Sequence, residues 1–354
     1  MERLERIRGC LLAGAAGDAL GYQVEFLSRD SILAQYGEGG VRTMGNRISD
    51  DTQMTLFTAE GLLNGLHHHM PIPDCVYQSY LDWYRTQRPD AAGGCFAAES
   101  TLLKEPGLYR QEAPGMNCLH ALGSGRMGTL DTPINHSKGC GGVMRAAPCG
   151  MLRLPGLAED EDAYALQGAM AAAVTHSHIL GYVPAAMLAD IVHGILQEDG
   201  RTLREIILDS LRRTMRLFSP PIEPAEGCEA QTGTSDGTLA EMLLFSGLIR
   251  RAVKLAASDV PDDEAIRQLG EGWVGEEALA IAVYCVLRHP ADLTDCLCAA
   301  VSHDGDSDST GAVAGNILGA WLGAEAIPTD WLAALEMRQV VDDMAVKLNK
   351  AGRN

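Results

Sequence analysis

Two short acidic segments near opposite ends of the chain carry the residue types best suited to chemistry. The first is Ser49-Asp50-Asp51-Thr52, and the second is Gly305-Asp306-Ser307-Asp308-Ser309-Thr310. Carboxylate and hydroxyl oxygens are the ligands that Mg²⁺ and Mn²⁺ prefer. If all four carboxylates converge, each adjacent pair repels by about 4 kcal/mol at ~4 Å and an effective dielectric near 20. Divalent cations remove that cost, so the pattern predicts a metal cleft built from both ends of the chain.

Other interpretations of the second segment fit less well. An EF-hand loop that started at Asp304 would need Gly at its sixth position and Glu at its twelfth, where this chain has Ser309 and Gly315. Aspartyl-phosphate phosphatases place Asp-x-Asp-x-Thr after a buried strand, whereas here it follows the polar run Ser302-His303-Asp304. Simple helix capping remains the structural alternative for each acidic segment taken alone.

Composition narrows the class of protein. The chain has 354 residues, of which 46% are hydrophobic and 5% aromatic, enough for one large domain or two ordinary ones. A formal net charge of -19 argues against nucleic acid as a partner, because no basic field replaces phosphate counterions. The ten cysteines include no Cys-x-x-Cys pair, and the chain opens on the charged run Glu2 to Arg8. We expect a cytoplasmic monomer with reduced cysteines, no signal peptide and no membrane partner.

The hydrophobic periodicity is helical almost throughout. It predicts an opening Gly- and Ala-rich amphipathic helix and further helices at residues 52–63, 73–85, 160–175, 180–197, 203–217, 238–257, 276–287, 293–301, 310–322 and 331–348. Residues 88–133 are expected to hold short helices and loops, and residues 219–238 to form a long loop. His67 to His69 precede Met70-Pro71 and are expected on a loop. No convincing strand, repeat or boundary is found, so the sequence predicts one all-α domain over residues 1–354.

The ordered set of short segments resembles the ADP-ribosylglycohydrolases, the family that includes the dinitrogenase-reductase-activating glycohydrolase and the ADP-ribosylarginine hydrolases. The matching segments are Gly17-Asp18-Ala19-Leu20-Gly21 with Glu25, Ser49-Asp50-Asp51-Thr52, Gly139-Cys140-Gly141-Gly142-Val143-Met144-Arg145, Thr175-His176-Ser177-His178, Gly272-Trp273-Val274-Gly275-Glu276-Glu277 and Gly305-Asp306-Ser307-Asp308-Ser309-Thr310-Gly311. Each segment alone is weak evidence, but their order over nearly the whole chain is specific.

The resemblance implies an orthogonal helical bundle whose central cleft holds two divalent cations, Mg²⁺ or Mn²⁺. Carried over by motif position, the metal ligands are Ser49, Asp50, Asp51, Asp306, Asp308 and Ser309. The family often has Thr where this chain has Ser49 and Ser309, and either hydroxyl can bind a hard cation. Glu25 corresponds to the family's mobile acidic residue near the scissile bond. Asp18 is expected either to support the metal ligands or to bond a neighbouring helix end.

Substrate contacts are implied at two further segments. Gly139, Cys140, Gly141 and Gly142 offer unobstructed backbone N–H groups, which are expected to lead into a helix and to suit a diphosphate. Cys140 is expected to pack and not to act as a nucleophile. His176 resembles a substrate-contacting histidine, with a buried structural histidine as the alternative. His178 and His303 are expected in supporting or structural roles.

The implied reaction is hydrolysis of the glycosidic bond between ADP-ribose and a modified protein side chain. The form Gly-Cys-Gly-Gly-Val-Met-Arg is closer to arginine-specific members than to serine-specific ones, so arginine is the expected side chain. Glu25 would act as general acid and base. Two alternatives stay open: a hydrolase of a free ADP-ribose derivative, small ADP-ribose conjugate or other nucleotide, and a non-catalytic ADP-ribose-binding relative. The complete ligand set favours an enzyme.

Overall fold

A computed structural model describes residues 1–157, 161–220 and 234–352. Within these ranges the chain forms fifteen α-helices and no β-strand; an isolated bridge between Gly139 and Val274 is the sole β-type pairing found there. The helices are α1 Arg3–Tyr22, α2 Arg29–Tyr36, α3 Asp50–His68, α4 Ile72–Gln87, α5 Met116–Gly123, α6 Asp162–Ala173, α7 Ile179–Leu196, α8 Leu203–Phe218, α9 Thr234–Ala256, α10 Asp262–Arg267, α11 Gly275–Arg288, α12 Leu293–Val301, α13 Ser307–Leu322, α14 Thr329–Ala334 and α15 Arg338–Ala351. The all-α prediction is confirmed.

Local sequence sets several helix boundaries as expected. Helix α12 has the predicted bounds, and Asp292 caps it by accepting the N–H of Asp295. Helix α8 starts one residue after Thr202, which forms a capping box with Glu205. Residues 88–133 hold one short helix, α5, with 3₁₀ turns and loops, which agrees with the prediction.

Other expectations about local structure were wrong. The predicted helix 331–348 is two helices, because the chain turns between Leu335 and Met337, where Met337 adopts a left-handed conformation with φ of 59°. His67 and His68 form the last turn of α3, and His69 caps it in a left-handed conformation. Helix α9 begins at Thr234, inside the predicted loop, and residues 221–233 of that loop lie outside the described ranges.

Helices α1 and α13 pack against each other along almost their whole length, which brings the two ends of the chain together. Small residues spaced by four line the contact, and they pair in antiparallel order: Gly9 with Gly319, Ala13 with Gly315, Gly17 with Gly311 and Gly21 with Ser307. A Cβ atom on Gly21 would lie 2.2 Å from the carbonyl oxygen of Ser307. Any side chain there would force the helices apart, so glycine is required for this approach.

The core is centred on α7, which packs against α6, α8, α11 and α13. By length and composition α7 could cross a membrane. Its mean hydropathy is 1.7, and 83% of it is buried against the rest of the protein, as in the core helix of a globular domain. Helices α3 and α15 pack on α1, so that the start of α3 lies beside the α1–α13 contact.

Candidate metal centre and active site

The first acidic segment forms the start of α3 and is fixed there by Asp18 of α1. Ser49 is the N-cap of α3 and accepts the N–H of Asp51, while its own N–H donates to both carboxylate oxygens of Asp18 at 2.9 and 3.1 Å. Thr52 donates its N–H to Asp18 at 3.1 Å and also its hydroxyl. Asp18 therefore bonds a neighbouring helix end, which is one of the two roles expected for it.

The second acidic segment forms the start of α13. Asp306 is the N-cap and accepts the N–H of Ser309 at 3.3 Å, and Asp308 accepts the same N–H at 3.0 Å. The helix begins at Ser307, three residues before the predicted start, so Asp308 and Ser309 lie in its first turn. Capping and a metal-binding role are compatible here, because each carboxylate retains lone pairs beyond its backbone bonds.

The structure brings these two segments together with Glu25, which follows α1. Glu25, Asp306 and Asp308 are buried, and each offers a carboxylate oxygen within 4.8 Å of the other two. The Ser49 side chain lies near enough to the Asp308 carboxyl to exert a lowering effect on its pKa, so the start of α3 lies beside the start of α13. The convergence of both chain ends, predicted from the acidic residues alone, is present in the fold.

Burial raises the pKa of every carboxyl group in the acidic cluster of Glu25, Asp50, Asp51, Asp306 and Asp308, and repulsion from neighbouring charges raises it further for all of them except Asp308. Burial is the largest cause for Asp51 and Asp306, whose pKa values are raised well above the usual range, and the Asp308 charge adds to it. Burial and the charges of Asp308 and Asp50 likewise raise the pKa of Glu25. Such groups are stabilised in their charged form when cations lie between them.

Two oxygens of the cluster fit a cation in a further respect. Glu25 Oε2 and Asp51 Oδ2 are buried and have no hydrogen-bond partner among the described residues. A buried unpaired carboxylate oxygen is costly, and a metal ion satisfies it where no donor does. The donor set is oxygen-rich and acidic, which suits a hard divalent cation.

Asp50 differs from its neighbours in the cluster. Its Oδ2 atom accepts the N–H of Gly115 at 2.9 Å, and its own N–H donates to the carbonyl oxygen of Glu112 at 3.0 Å. Both contacts come from the segment that precedes α5. This predicted loop region therefore helps to orient the first acidic segment.

The glycine segment Gly139 to Gly142 lies beside the cluster. Residues Cys140–Gly142 form a 3₁₀ turn that continues into further short turns, so the expected α-helix after it is absent. Cys140 is near enough to donate its S–H to Asp306 Oδ2 at 2.8 Å, and burial is the main cause that raises its pKa. A thiol in that state is a poor nucleophile, which agrees with the packing role expected for Cys140.

The segment Glu271 to Gly275 connects the glycine turn to Asp306. The N–H of Asp306 donates to the carbonyl oxygen of Glu271 at 2.8 Å, and the N–H of Cys140 donates to that of Trp273 at 3.2 Å. Gly272 has a φ of 88°, and a Cβ atom there would lie 2.9 Å from the Thr310 side chain. The third and the last two family-like segments thus form one wall of the cleft.

His176 is buried directly beneath the glycine turn. A Cβ atom on Gly141 would lie 2.8 Å from its Cε1 atom and 3.0 Å from its Nε2 atom. His178 caps α7 by accepting the N–H of Leu180 at Nδ1, and His303 contacts the Thr310 hydroxyl at 2.9 Å. The last two histidines therefore have the structural roles that the sequence indicates.

Two features of the site were missed from the sequence. Phe26 and Trp273 are exposed by 76% and 39% and stack with ring centroids 5.8 Å apart, next to Glu25. Arg145 is fully buried, and its guanidinium lies 4.3 Å from the centre of the Tyr80 ring. An aromatic residue directly after the acidic Glu25 was a visible signal for the first feature. No sequence pattern distinguishes a buried arginine from an exposed one.

Comparison with known proteins agrees with this geometry. The chain is 27% identical to the ADP-ribosylhydrolase ARH3 of Mus musculus over 98% of its length and 92% of the relative. It is 24% identical to the ADP-ribosyl-[dinitrogen reductase] glycohydrolase of Rhodospirillum rubrum over 94% of its length and 91% of the relative. A solved structure of an ADP-ribosylglycohydrolase-related protein complex has the same fold, with a TM-score of 0.65, 24% identity and 99% coverage of both chains.

The family model for ADP-ribosylglycohydrolase matches residues 1–354. Because this match covers the entire chain, and because the acidic residues of its motifs meet in one buried cluster, the protein belongs to the ADP-ribosylglycohydrolase family and is a glycohydrolase.

Proposed function

We propose that this protein hydrolyses the glycosidic bond that links ADP-ribose to an arginine side chain of a protein, with two Mg²⁺ or Mn²⁺ ions in the cleft. The observation that carries the proposal is the buried acidic cluster, in which Glu25, Asp306 and Asp308 lie within 4.8 Å of one another and the oxygens Glu25 Oε2 and Asp51 Oδ2 have no hydrogen-bond partner among the described residues. The full-length similarity to relatives named for ADP-ribose hydrolysis supports the reaction type.

The residues that would hold the cations are Ser49, Asp50, Asp51, Asp306, Asp308 and Ser309. When bound, the cations supply positive charge that binds hydroxyl groups of the sugar and activates water. The chain positions these ligands rigidly: Asp18 holds the start of α3, and the backbone of Glu271 holds Asp306. Rigid placement lowers the cost of organising the site during the reaction.

Glu25 is the proposed general acid and base. It lies within 4.8 Å of Asp306 and Asp308 just after α1, and burial, followed by neighbouring negative charge, raises its pKa and favours its protonated form. A carboxyl group with a raised pKa can donate a proton to a leaving group near neutral pH and then accept one from water. Glycoside hydrolysis needs this exchange at an oxocarbenium-like centre.

The aromatic pair beside Glu25 favours arginine as the leaving side chain. Phe26 and Trp273 present an exposed aromatic surface, and a guanidinium group stacks on such surfaces better than a hydroxyl group does. The adjacent Glu25 carboxyl adds a hydrogen-bond acceptor. A serine or threonine linkage offers neither a flat cation nor comparable contact area.

The experiment that tests the proposal measures ADP-ribose release from arginine-, serine- and threonine-linked substrates side by side. We expect release from the arginine substrate with Mg²⁺, and its loss with EDTA or in Asp306→Ala. Equal release from the arginine substrate with Mg²⁺, with EDTA and by Asp306→Ala would rule out the metal-dependent mechanism. Preferential cleavage of the serine substrate would show that the arginine assignment is wrong.

The second candidate substrate is a free ADP-ribose derivative or another nucleotide. The glycine turn and His176 could hold a diphosphate whether or not a protein is attached to it. Adding free ADP-ribose conjugates to the same panel separates the two candidates. If a free conjugate is the true substrate, the enzyme should hydrolyse it faster than the protein-linked substrate. Phe26→Ala should slow only the arginine substrate if the aromatic pair recognises the side chain.

A further inference from the structure

Arg145 is a buried cation whose contacts are sulfur, aromatic and hydroxyl groups. It is 1% exposed, and its Nη1 atom donates to Met54 Sδ at 3.1 Å and to Cys118 Sγ at 3.4 Å. Its Nη2 atom donates to the hydroxyl oxygen of Thr175. Guanidinium is a donor only, so the Thr175 oxygen must act as the acceptor in this contact.

The hydroxyl hydrogen of Thr175 is then available for His176. The Thr175 oxygen lies 2.8 Å from His176 Nδ1. With Thr175 as the donor, Nδ1 carries a lone pair and no hydrogen. A neutral imidazole with a bare Nδ1 atom must carry its proton on Nε2.

The His176 ring is held in its neutral form by its surroundings. Burial, followed by the nearby Arg145 charge, lowers the pKa of His176 to about 3. The Nε2 edge of the ring faces the glycine turn, and a Cβ atom on Gly139 would lie 3.6 Å from Nε2. His176 Nε2 makes no hydrogen bond within the described part of the chain. It is also not one of the fully enclosed side-chain atoms there that lack a hydrogen-bond partner.

We propose that Arg145 and Thr175 are positioning residues that fix His176 as a neutral Nε2–H donor facing the glycine-turn side of the cleft. This inference rests on the proposed function for its ligand, the diphosphate group of ADP-ribose. A phosphate oxygen can accept a hydrogen bond from this N–H group. The glycines at positions 139 and 141 leave the room that the ring needs.

The competing arrangement reverses the hydrogen bond between Thr175 and His176. Nδ1–H would then donate to Thr175, and the Thr175 hydroxyl would turn to Cys118, whose sulfur is a weak acceptor. His176 Nε2 would be an acceptor and would repel a phosphate oxygen. The two arrangements predict opposite tautomers, so one spectrum can separate them.

The test is ¹⁵N NMR of the full chain labelled at histidine, recorded without substrate, with His176→Gln used to assign the signals. We expect the Nε2–H tautomer for His176 in the wild type and in Thr175→Ser, which keeps the hydroxyl. Thr175→Val offers Nδ1 neither a donor nor an acceptor, so it should release this restriction and give a mixture of the two tautomers. His178 is an internal reference, because its Nδ1 atom accepts a backbone N–H and should stay unchanged.

Calorimetry with ADP-ribose supplies the second measurement. Thr175→Val should weaken binding about tenfold, the effect of one misdirected hydrogen bond to a charged group, while Thr175→Ser binds as the wild type does. An Nδ1–H tautomer in the wild type would overturn the inference, as would an unchanged tautomer in a folded Thr175→Val. The spectra need no substrate, so the two proposals can fail separately. If the expected tautomers are found but the protein hydrolyses no ADP-ribose linkage, the positioning role of Arg145 and Thr175 is upheld and only the proposed function is refuted.

Discussion

Gly17 and Gly311 meet backbone to backbone at the centre of the α1–α13 contact. A Cβ atom on Gly17 would lie 2.1 Å from the carbonyl oxygen of Gly311, and one on Gly311 would lie 2.5 Å from that of Gly17. This approach places Asp18, one residue further along α1, beside the starts of both α3 and α13. The residues of the candidate metal centre therefore depend on a contact that itself contains no chemically active group.

Gly17→Ala should destabilise the protein strongly. The added methyl group meets backbone atoms that cannot rotate away, so we expect a loss of about 1–3 kcal/mol or more in the free energy of unfolding. Denaturant titration measures it. Gly247→Ala on α9 is the matched control, because a Cβ atom there contacts nothing within 4 Å and helix propensity alone predicts a gain of about 0.5–1 kcal/mol. Equal effects at both positions would contradict the close approach.

Asp18→Ala should weaken both the fold and cation binding. It removes the acceptor of two backbone N–H groups and one hydroxyl at the start of α3. We expect a loss of about 2–3 kcal/mol of stability and a tenfold or larger drop in Mg²⁺ affinity, roughly the effect of losing a group that orients ligands. Calorimetry and thermal melts measure these two quantities. Asp74→Ala, at an exposed site in the first turn of α4, should change neither by a comparable amount.

Without divalent cations, stability should fall as pH rises. The cluster carboxyl groups have raised pKa values in the folded state, so the folded protein binds more protons than the unfolded one above pH ~4. Each such group then lowers the free energy of unfolding by about 1.4 kcal/mol per pH unit until the pH passes its folded-state pKa. Thermal melts in EDTA at pH 5.5 and pH 8 measure this loss.

Mg²⁺ should reverse that loss, because cations replace protons as the partners of the carboxylates. The stabilisation by Mg²⁺ should therefore be larger at pH 8 than at pH 5.5. Asp308→Asn should remove most of the Mg²⁺-dependent part. Parallel curves with Mg²⁺ and with EDTA across this range would refute a cation site in the cluster.

Glu25→Gln should reduce turnover far more than it reduces stability. Glutamine keeps the shape but cannot exchange a proton, so we expect kcat to fall by about 10²–10⁴. Steady-state kinetics on the arginine-linked substrate measure it. Glu38→Gln lies in the exposed segment after α2 and should leave kcat unchanged. A Glu25→Gln enzyme with near-normal kcat and weakened Mg²⁺ binding would assign Glu25 to the cations instead.

Much of the local structure could be predicted from sequence because its causes are local. The bounds of α12 follow from its capping residue Asp292 and its hydrophobic pattern. The break between α14 and α15 could not be predicted in the same way, because the apolar pattern continues across Leu335 to Met337 while the backbone turns. Helical periodicity reports which face is buried but not where two packed helices must change direction.

By itself the sequence determined the helical class, the family and the set of acidic residues, because residue type and order encode these directly. The tertiary structure alone decided that Glu25 lies within 4.8 Å of Asp306 and Asp308, that Asp18 holds the start of α3, and that Arg145 is buried behind His176. These relationships join residues up to 283 positions apart, as with Glu25 and Asp308. They depend on how closely α1 and α13 approach, which is a property of the packed backbones and not of either segment alone.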